Sequence, residues 1–304
     1  MKETNTKLFN TPLETIYEVE FFQDRKKTVL KSNNLNEFEK EASNIFFIPI
    51  NCKDNFSGNY DNYVKQALNH ISSIKNLPFE KAFKEQNLLQ YYPDKEKINQ
   101  VLHSNKKLLL LDLDETLVHA EYPVEEKNMK KYDTILRFKS ETESIDNINN
   151  NNEEYNEIGI YLRPGVRKFL SILNTYFNIA IFTAAEKDYT DAIIRYLDPN
   201  NDIFKFCLYR YNCINLNDLI CIKDLRILEN INMNKTVLID NNIYSFACQL
   251  NNGILINSFY GDENDVELFN VLSYLLDFIL PSNDVREVNE KFFGFEKICQ
   301  QLSE

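Results

Sequence analysis

The stretch KKLLLLDLDETLVH, residues 106–119, places four leucines directly before Asp112, and a second carboxylate, Asp114, follows two residues later. An apolar run of this length predicts a strand at residues 108–113 that is buried on both faces of a parallel sheet. In open α/β sheets, ligands bind beyond the carboxyl ends of such strands. Two carboxylates at the edge of an apolar core raise the free energy of the fold unless a cation or a reaction uses them. The stretch therefore predicts a chemical site at the end of this strand.

The charge of the chain excludes some classes of partner. It carries 34 basic and 46 acidic side chains, a formal net charge of −12, which argues against non-specific binding to nucleic acid or to anionic membranes. Its six cysteines include no CxxC pair and are expected to be reduced thiols. No signal peptide and no apolar window near the ~20 residues of a membrane span are evident. We therefore expect an intracellular protein, nuclear or cytoplasmic, with no membrane span and no direct nucleic-acid contact.

Strand-like and helix-like segments alternate from residue 108 to residue 280. Further strands are predicted at residues 178–182, 203–209, 236–239 and 253–256, and helices at 166–176, 187–197 and 266–280. This alternation predicts an α/β fold, a doubly wound parallel sheet with helices on both faces. Residues 132–138 and 158–162 predict the arms of an inserted β-hairpin, and the acidic, Asn-rich residues 140–157 between them predict a mobile loop.

The first third of the chain shows no strong catalytic pattern. Helix-like spacing occurs at residues 62–74 and 78–86, and residues 45–50 resemble a strand. We expect residues 1–104 to form a mainly helical N-terminal extension of unknown function that is a candidate for binding a protein partner. Residues 105–282 would form the main domain, and residues 283–304 a C-terminal helix packing on it.

Polar residues end several of the predicted strands, and parallel strands bring them to one edge. Thr183 ends the second strand, and Asp240 and Asn241 end a later one. A cluster of carboxylates and an amide without His or Cys favours a hard cation, so Mg²⁺ is the natural ion. With Lys223 as an ammonium, such a set suits phosphoryl transfer, in which a carboxylate is the nucleophile and cations neutralise the equatorial oxygens.

These residues carry a family resemblance. The DxDxT motif at residues 112–116 resembles that of the aspartate-nucleophile phosphatases of the haloacid dehalogenase superfamily. More narrowly, the chain resembles the small carboxy-terminal-domain phosphatases, or NLI-interacting-factor-like phosphatases, which share the FCP homology domain. The later blocks LRPGV (162–166), FTA (182–184), KDL (223–225) and IDN (239–241) match in order and spacing. The resemblance covers about residues 105–280 and implies a haloacid dehalogenase-like (Rossmannoid) phosphatase domain.

The resemblance implies a role for each catalytic residue. Asp112 would be the nucleophile, forming an aspartyl-phosphate, and Asp114 would protonate the leaving oxygen and then activate water. Thr183 and Lys223 would hold the phosphoryl oxygens, and Thr116 would orient the motif loop. The same resemblance gives three substrate-binding residues and a set of Mg²⁺ ligands. The substrate-binding residues are Thr116, Arg210 and Tyr189, and the metal residues are Asp112, Asp114, Asp240 and Asn241.

The implied activity is Mg²⁺-dependent dephosphorylation of phosphoserine or phosphothreonine in proteins. The segments from Thr116 to Thr183 and from Thr183 to Lys223 are too short for a large lid domain, which favours a phosphate on a protein over a small molecule. Because the chain is acidic, we expect the substrate to be neutral or basic around the phosphate. The alternative is a non-catalytic scaffold subunit that keeps the fold while residues 1–104 attach it to an assembly. A receiver-type phosphoacceptor domain fits Asp112 and Asp114 on one strand end poorly.

Overall fold

The computed structural model describes residues 59–74, 79–89, 91–125, 128–129, 131–139, 155–217 and 220–302. The strand predicted at residues 45–50 lies outside them, as does most of the loop predicted at 140–157. Within them, ten strands and eight α-helices follow one another along the chain. The strands are β1 (Lys107–Leu111), β2 (Val118–Glu121), β3 (Thr134–Lys139), β4 (Tyr155–Leu162), β5 (Phe177–Phe182), β6 (Phe204–Leu208), β7 (Ile214–Asn217), β8 (Ile220–Ile222), β9 (Thr236–Asp240) and β10 (Gly253–Leu255). The helices are α1 (Asn59–Ile74), α2 (Phe79–Glu85), α3 (Lys95–Leu102), α4 (Val166–Tyr176), α5 (Lys187–Leu197), α6 (Glu267–Tyr274), α7 (Val285–Phe292) and α8 (Phe295–Gln301).

Five strands form a parallel sheet in the order β10-β9-β1-β5-β6. The three central strands, β9, β1 and β5, are almost entirely buried, as expected when helices cover both faces of a sheet. They are the same apolar runs from which the sequence predicts strands. The predicted α/β fold, a parallel sheet with an inserted hairpin, is confirmed. The described residues of the predicted N-terminal extension form helices α1, α2 and α3.

The three central strands end level with one another. Leu111 of β1 lies opposite Ile181 of β5 on one side and Ile239 of β9 on the other. The sheet hydrogen bonding continues one residue further, because the Asp112 N–H donates to the Ile239 carbonyl at 2.9 Å. This register brings the residues after each strand to a common edge.

The insertion is a three-stranded antiparallel sheet in the order β2-β4-β3. The predicted hairpin corresponds to β3 and β4, and β2 adds a strand that the sequence did not predict. The C-terminal bound of the loop predicted at 140–157 is wrong, because residues 155–157 belong to β4. Glu157 pairs with Arg137 of β3, and their Oε1 and Nε atoms lie 2.7 Å apart. This cross-strand pair helps to extend the hairpin into the acidic segment.

Helices α4 and α5 occupy the residues predicted for them. The continuous helix predicted at 266–280 is instead α6 followed by a π-helical turn, Leu275–Ile279, before Pro281. The C-terminal segment holds two helices rather than one, since Gly294 adopts φ 59° between α7 and α8, a conformation that glycine reaches without steric cost. Helix α1 of the extension packs against α8, where the Cys299 thiol donates to the Leu68 carbonyl at 3.6 Å. None of the described helices combines the length and apolarity needed to cross a bilayer.

Candidate active site

A buried lysine joins two aspartates at the common edge of the central strands. Lys223, which follows β8, places its Nζ 2.5 Å from Asp112 Oδ1 and 2.6 Å from Asp240 Oδ2. Lys223 and Asp240 are each 1% exposed and Asp112 is 5% exposed. The Lys223 backbone N–H donates to the Ser245 carbonyl at 2.7 Å, which holds the backbone from which the lysine side chain extends. The sequence-predicted residues Asp112, Lys223 and Asp240 therefore form one contact cluster.

Burial and charge act on this cluster in opposite directions. Burial alone would lower the pKa of Lys223, but the neighbouring Asp112 and Asp240 carboxylates raise it above its ordinary value, so the amine stays charged. Burial raises the pKa of Asp240, and the charge of Asp112 raises it further, while Lys223 opposes both effects. One ammonium thus serves two carboxylates that would otherwise repel each other.

The DxDxT segment turns back on itself immediately after β1. Glu115 adopts φ 57°, and the Leu117 N–H donates to the Leu113 carbonyl at 2.8 Å. The turn directs the Thr116 hydroxyl to Asp112, where it donates to Oδ2 at 2.9 Å. Both oxygens of Asp112 are therefore held, one by Thr116 and one by Lys223, so the carboxylate is oriented by the motif loop.

Asp114 lies beside this cluster and has a separate partner. The Tyr189 hydroxyl, from α5, donates to Asp114 Oδ1. Burial raises the pKa of Asp114 to about 7, and the nearby Asp112 adds to this, although the Tyr189 hydrogen bond acts in the opposite direction. A carboxyl group with this pKa can both donate and accept a proton near neutral pH. Tyr189, which the sequence predicts as a substrate-binding residue, is thus bonded to a motif aspartate in the structure.

Thr183, predicted to hold a phosphoryl oxygen, and Arg210, predicted to bind the substrate, lie in different surroundings. Thr183 is 1% exposed at the end of β5, and its hydroxyl accepts the Ala185 N–H at 3.0 Å. Arg210 lies on the surface, where its Nε is 3.4 Å from Glu186 Oε1. Thr183 is thus at the common edge, and Arg210 forms an exposed ion pair near the start of α5.

The predicted metal ligands do not form a cluster of carboxylates. The part of the chain that the structure describes contains no group of three or more His, Cys, Asp or Glu side chains placed to hold a metal ion. Asp114 bonds to Tyr189. The two oxygens of Asp240 contact Lys223 and the Asn242 N–H, the latter at 2.8 Å, much as the two oxygens of Asp112 contact Lys223 and Thr116. Asn241 donates through Nδ2 to Ser258 Oγ at 3.0 Å, an orientation that leaves its amide oxygen as an acceptor. The oxygen donors that fit Mg²⁺ in kind are Asp112, the Asp114 carbonyl and Asn241.

A buried arginine supports the motif loop and was not predicted as a site residue. Arg163 is 0% exposed, and its Nη1 donates to the Thr116 carbonyl at 3.1 Å. Its Nη2 donates to the Asn257 carbonyl at 2.8 Å, and a two-bond ion pair with Asp265 balances its charge. Arg163 occurs in the quoted LRPGV block, but its partners are distant in sequence. Thr116 lies 47 residues before it and Asp265 lies 102 residues after it, so only the folded chain brings them together.

The N-terminal extension also reaches this edge. His70 of α1 lies with its Nδ1 3.2 Å from the hydroxyl of Tyr244, which follows β9. Burial raises the pKa of Tyr63, and Tyr244, Asp240 and Tyr260 raise it further, so Tyr63 lies within electrostatic range of the site. These aromatic side chains had no motif that could reveal them in the sequence.

Known proteins with similar sequences share the segment that carries this site. The family model of the NLI interacting factor-like phosphatases matches residues 107–286. The chain is 36% identical over 201 residues to CTD small phosphatase-like protein 2 of Dictyostelium discoideum, which covers 65% of this chain and 32% of that protein. It is 35% identical over 185 residues to CTD small phosphatase-like protein 3 of Caenorhabditis elegans, covering 59% of this chain and 57% of that one.

A third relative carries a different description. The chain is 33% identical over 187 residues to nuclear envelope morphology protein 1 of Schizosaccharomyces pombe, covering 60% of this chain and 35% of that protein. The chain therefore spans between about a third and somewhat more than half of the length of these relatives. The segment that the family model matches, residues 107–286, contains the cluster of Asp112, Lys223 and Asp240.

Proposed function

We propose that this chain, which belongs to the NLI interacting factor-like phosphatase family, removes phosphate from phosphoserine or phosphothreonine in proteins. The observation that carries the proposal is the geometry around Asp112. Its carboxylate lies at the end of a buried strand, is oriented by Thr116 and Lys223, and has a second carboxyl group, Asp114, two residues away. An oriented carboxylate next to a proton donor is the minimal set for covalent hydrolysis of a phosphate ester.

The first step transfers the phosphoryl group to the protein. An oxygen of Asp112 attacks phosphorus, a new P–O bond forms, and the bond from phosphorus to the serine or threonine oxygen breaks. Asp114 gives its proton to that leaving oxygen, which becomes the hydroxyl of the product. Lys223 and Thr183 neutralise and hold the oxygens of the transferred group.

The second step restores Asp112. A water molecule attacks the phosphorus of the aspartyl-phosphate, and Asp114, now ionised, takes a proton from that water. The P–O bond to Asp112 breaks and inorganic phosphate leaves. The Tyr189 hydroxyl keeps Asp114 in one orientation in both steps.

We propose Asp112, the Asp114 carbonyl and Asn241 as the Mg²⁺ ligands. Asp240 is predicted as a further metal residue from the sequence, and we assign it to positioning Lys223, because its Oδ2 lies 2.6 Å from the Nζ atom that also contacts Asp112. When bound by these residues, Mg²⁺ would neutralise negative charge on the phosphoryl oxygens and favour attack by a carboxylate.

The whole protein acts on a phosphorylated protein inside the cell. The description of one relative as a nuclear envelope morphology protein supports the nucleus or its envelope as the compartment. The extension, residues 1–104, remains a candidate for binding a protein partner.

The test is hydrolysis of an aryl phosphate, such as p-nitrophenyl phosphate, by the purified full chain. We expect activity that requires Mg²⁺, is abolished by chelation, and falls on the order of 10³-fold or more in Asp112→Asn, because the nucleophile is removed. Asp262→Asn makes the same change of charge at an exposed position and should leave the rate unchanged. Absence of both turnover and a beryllofluoride adduct on folded wild-type protein would contradict the proposal and favour the scaffold alternative.

A further inference from the structure

A groove lined by positive side chains runs along the outer edge of the central sheet. It has a volume of about 500 Å³ and lies between β6, one face of α5 and residues 91–97, which include the first turn of α3. This volume is within the range of ligand-binding clefts. Strand β6 is the last strand of the sheet, and among the described residues no other strand pairs with its outer edge.

The groove is positive although the chain is strongly acidic. Its lining includes four cations, Lys97, Lys187, Arg195 and Lys205, and one carboxylate, Asp191. Asp191 is already engaged, since it pairs with Lys187 and accepts the Tyr209 hydroxyl at 2.8 Å. Its single charge offsets Lys187 and leaves the other three cations of the lining.

These three cations lack acidic partners among the described residues. Lys97 and Arg195 are exposed and form no ion pair there. Lys205 donates to two uncharged oxygens, the Asp202 carbonyl at 2.6 Å and Asn174 Oδ1 at 3.4 Å. Cations gathered in one groove repel each other, and a bound anion would relieve that repulsion.

Helix α5 separates this groove from the active site. Tyr189 faces Asp114, whereas Lys187 and Asp191, two positions before and after it, line the groove. Two positions are about 200° around a helix, so the two sets lie on opposite faces of α5, roughly one helix diameter (~10 Å) apart. Tyr209, at the carboxyl end of β6, brings the groove to the same edge of the sheet as Thr183.

We propose that this groove binds an anionic stretch of the phosphoprotein substrate, a segment that carries carboxylates or further phosphates near the phosphate being removed. The inference rests on the proposed function. It replaces the expectation from net charge that the substrate is neutral or basic, because the charge next to the site is opposite to that of the whole chain. An extended peptide is the favoured ligand, since the groove follows an unpaired edge strand whose backbone can pair with a peptide backbone.

The first test compares two phosphoserine peptides that differ only in one flank, which is rich in Glu in one and in Gln in the other. The wild-type full chain should have a kcat/KM about tenfold higher for the Glu-rich peptide, the scale of a few partly exposed charge pairs. The variant K97Q/R195Q/K205Q should lose this preference while its rate on p-nitrophenyl phosphate stays unchanged. K168Q/K291Q/K297Q removes three exposed charges outside the lining and should keep the preference.

The second test measures binding without catalysis. A fluorescent Glu-rich peptide without phosphate should bind the wild-type chain, and K97Q/R195Q/K205Q should bind it about tenfold more weakly. If no phosphate ester is hydrolysed but this binding is present and groove-dependent, the proposed function fails and the anionic ligand stands. The inference is overturned if the wild-type chain hydrolyses the two phosphopeptides equally well, or if K168Q/K291Q/K297Q loses the preference for the Glu-rich peptide as fully as K97Q/R195Q/K205Q does. It is also overturned if inorganic phosphate, a nucleotide or an oligonucleotide binds the groove and the Glu-rich peptide does not.

Discussion

Replacing Arg163 by methionine should destabilise the protein by about 3–5 kcal/mol, the cost of breaking a buried ion pair by removing one partner. The arginine side chain is 0% exposed and that of Asp265 is 15% exposed, so water cannot replace the lost interaction fully. Methionine fills much of the volume but leaves Asp265 without its cation and the carbonyls of Thr116 and Asn257 without their donor. The expected loss is a large part of the ~5–15 kcal/mol that stabilises a domain.

Thermal unfolding of the purified chain measures this loss. A shift of about 2–4 °C per kcal/mol, typical of domains of this size, gives a fall in Tm of roughly 6–20 °C. The matched control is Arg286→Met, which breaks a pair with Asp284 of nearly the same length, 2.7 Å against 2.8 Å, on a side chain that is 42% exposed. This exposed pair should cost no more than about 1 kcal/mol.

A second substitution separates the ion pair from the other contacts. Arg163→Met combined with Asp265→Leu removes the uncompensated charge and should recover part of the lost stability, because an apolar pair can replace a buried ion pair. Activity on an aryl phosphate should be low in both the single and the double variant, since in each the Thr116 carbonyl lacks its donor and the motif loop is less constrained. If Arg163→Met costs no more than Arg286→Met, the argument that this arginine supports the motif loop is wrong.

Two further substitutions test the site and the scaffold. Tyr189→Phe removes the hydroxyl that holds Asp114 and should lower kcat by about 10- to 100-fold, the equivalent of one hydrogen bond to a charged group, with little change in Tm; an unchanged kcat would show that Asp114 needs no such partner. Asp198 is the C-cap residue of α5, and its carboxylate accepts the backbone N–H groups of Asp202, Ile203 and Phe204. Burial would raise the pKa of Asp198, but these hydrogen bonds lower it below its ordinary value. The ionised carboxylate therefore stabilises the fold fully at pH values above the unfolded pKa of about 4. This stability is lost as the pH falls through the pKa of the folded state. Asp198→Asn should therefore cost about 2 kcal/mol in chemical denaturation at neutral pH and less below pH ~4; a cost that does not change with pH would contradict this.

The buried strands and the residues that end them are predictable because their signals are local. Each central strand is an apolar run, and a polar residue that follows such a run must lie at the sheet edge. The presence of Asp112, Thr183 and Asp240 at one edge of the sheet is therefore predictable from the sequence, because each of them ends or follows an apolar strand. The two amphipathic helices α4 and α5 are equally local, since their apolar spacing and the nearby prolines define where they begin and end.

The missed features depend on contacts that are distant in sequence. Strand β2 has four residues, directly after the DxDxT motif, and no alternation long enough to indicate a strand. It is a strand only because Val118 to Glu121 pair with β4 some forty residues later. The contact of Tyr189 with Asp114 and the role of Arg163 have the same origin. An arginine directly after an apolar strand could have indicated this role, because a buried charge requires a partner that is also shielded from water.

The active site and the groove have different electrostatic roles. The active site needs a negatively charged nucleophile, whereas the groove needs positive charge to attract an anionic peptide, and one site could not meet both needs. The two carboxylates and one ammonium of Asp112, Asp240 and Lys223 carry a net negative charge when all are ionised, so a phosphate is repelled from this edge unless a cation such as Mg²⁺ binds with it. Further lysines at this edge would pair with Asp112 and reduce its ability to attack phosphorus. Cations placed across α5, about one Debye length away at 0.1 M salt, can attract an anionic peptide without occupying the nucleophile. The separation of the groove from Asp112 is therefore a requirement of the proposed chemistry, since the residues that recruit the substrate must not neutralise the residue that reacts with it.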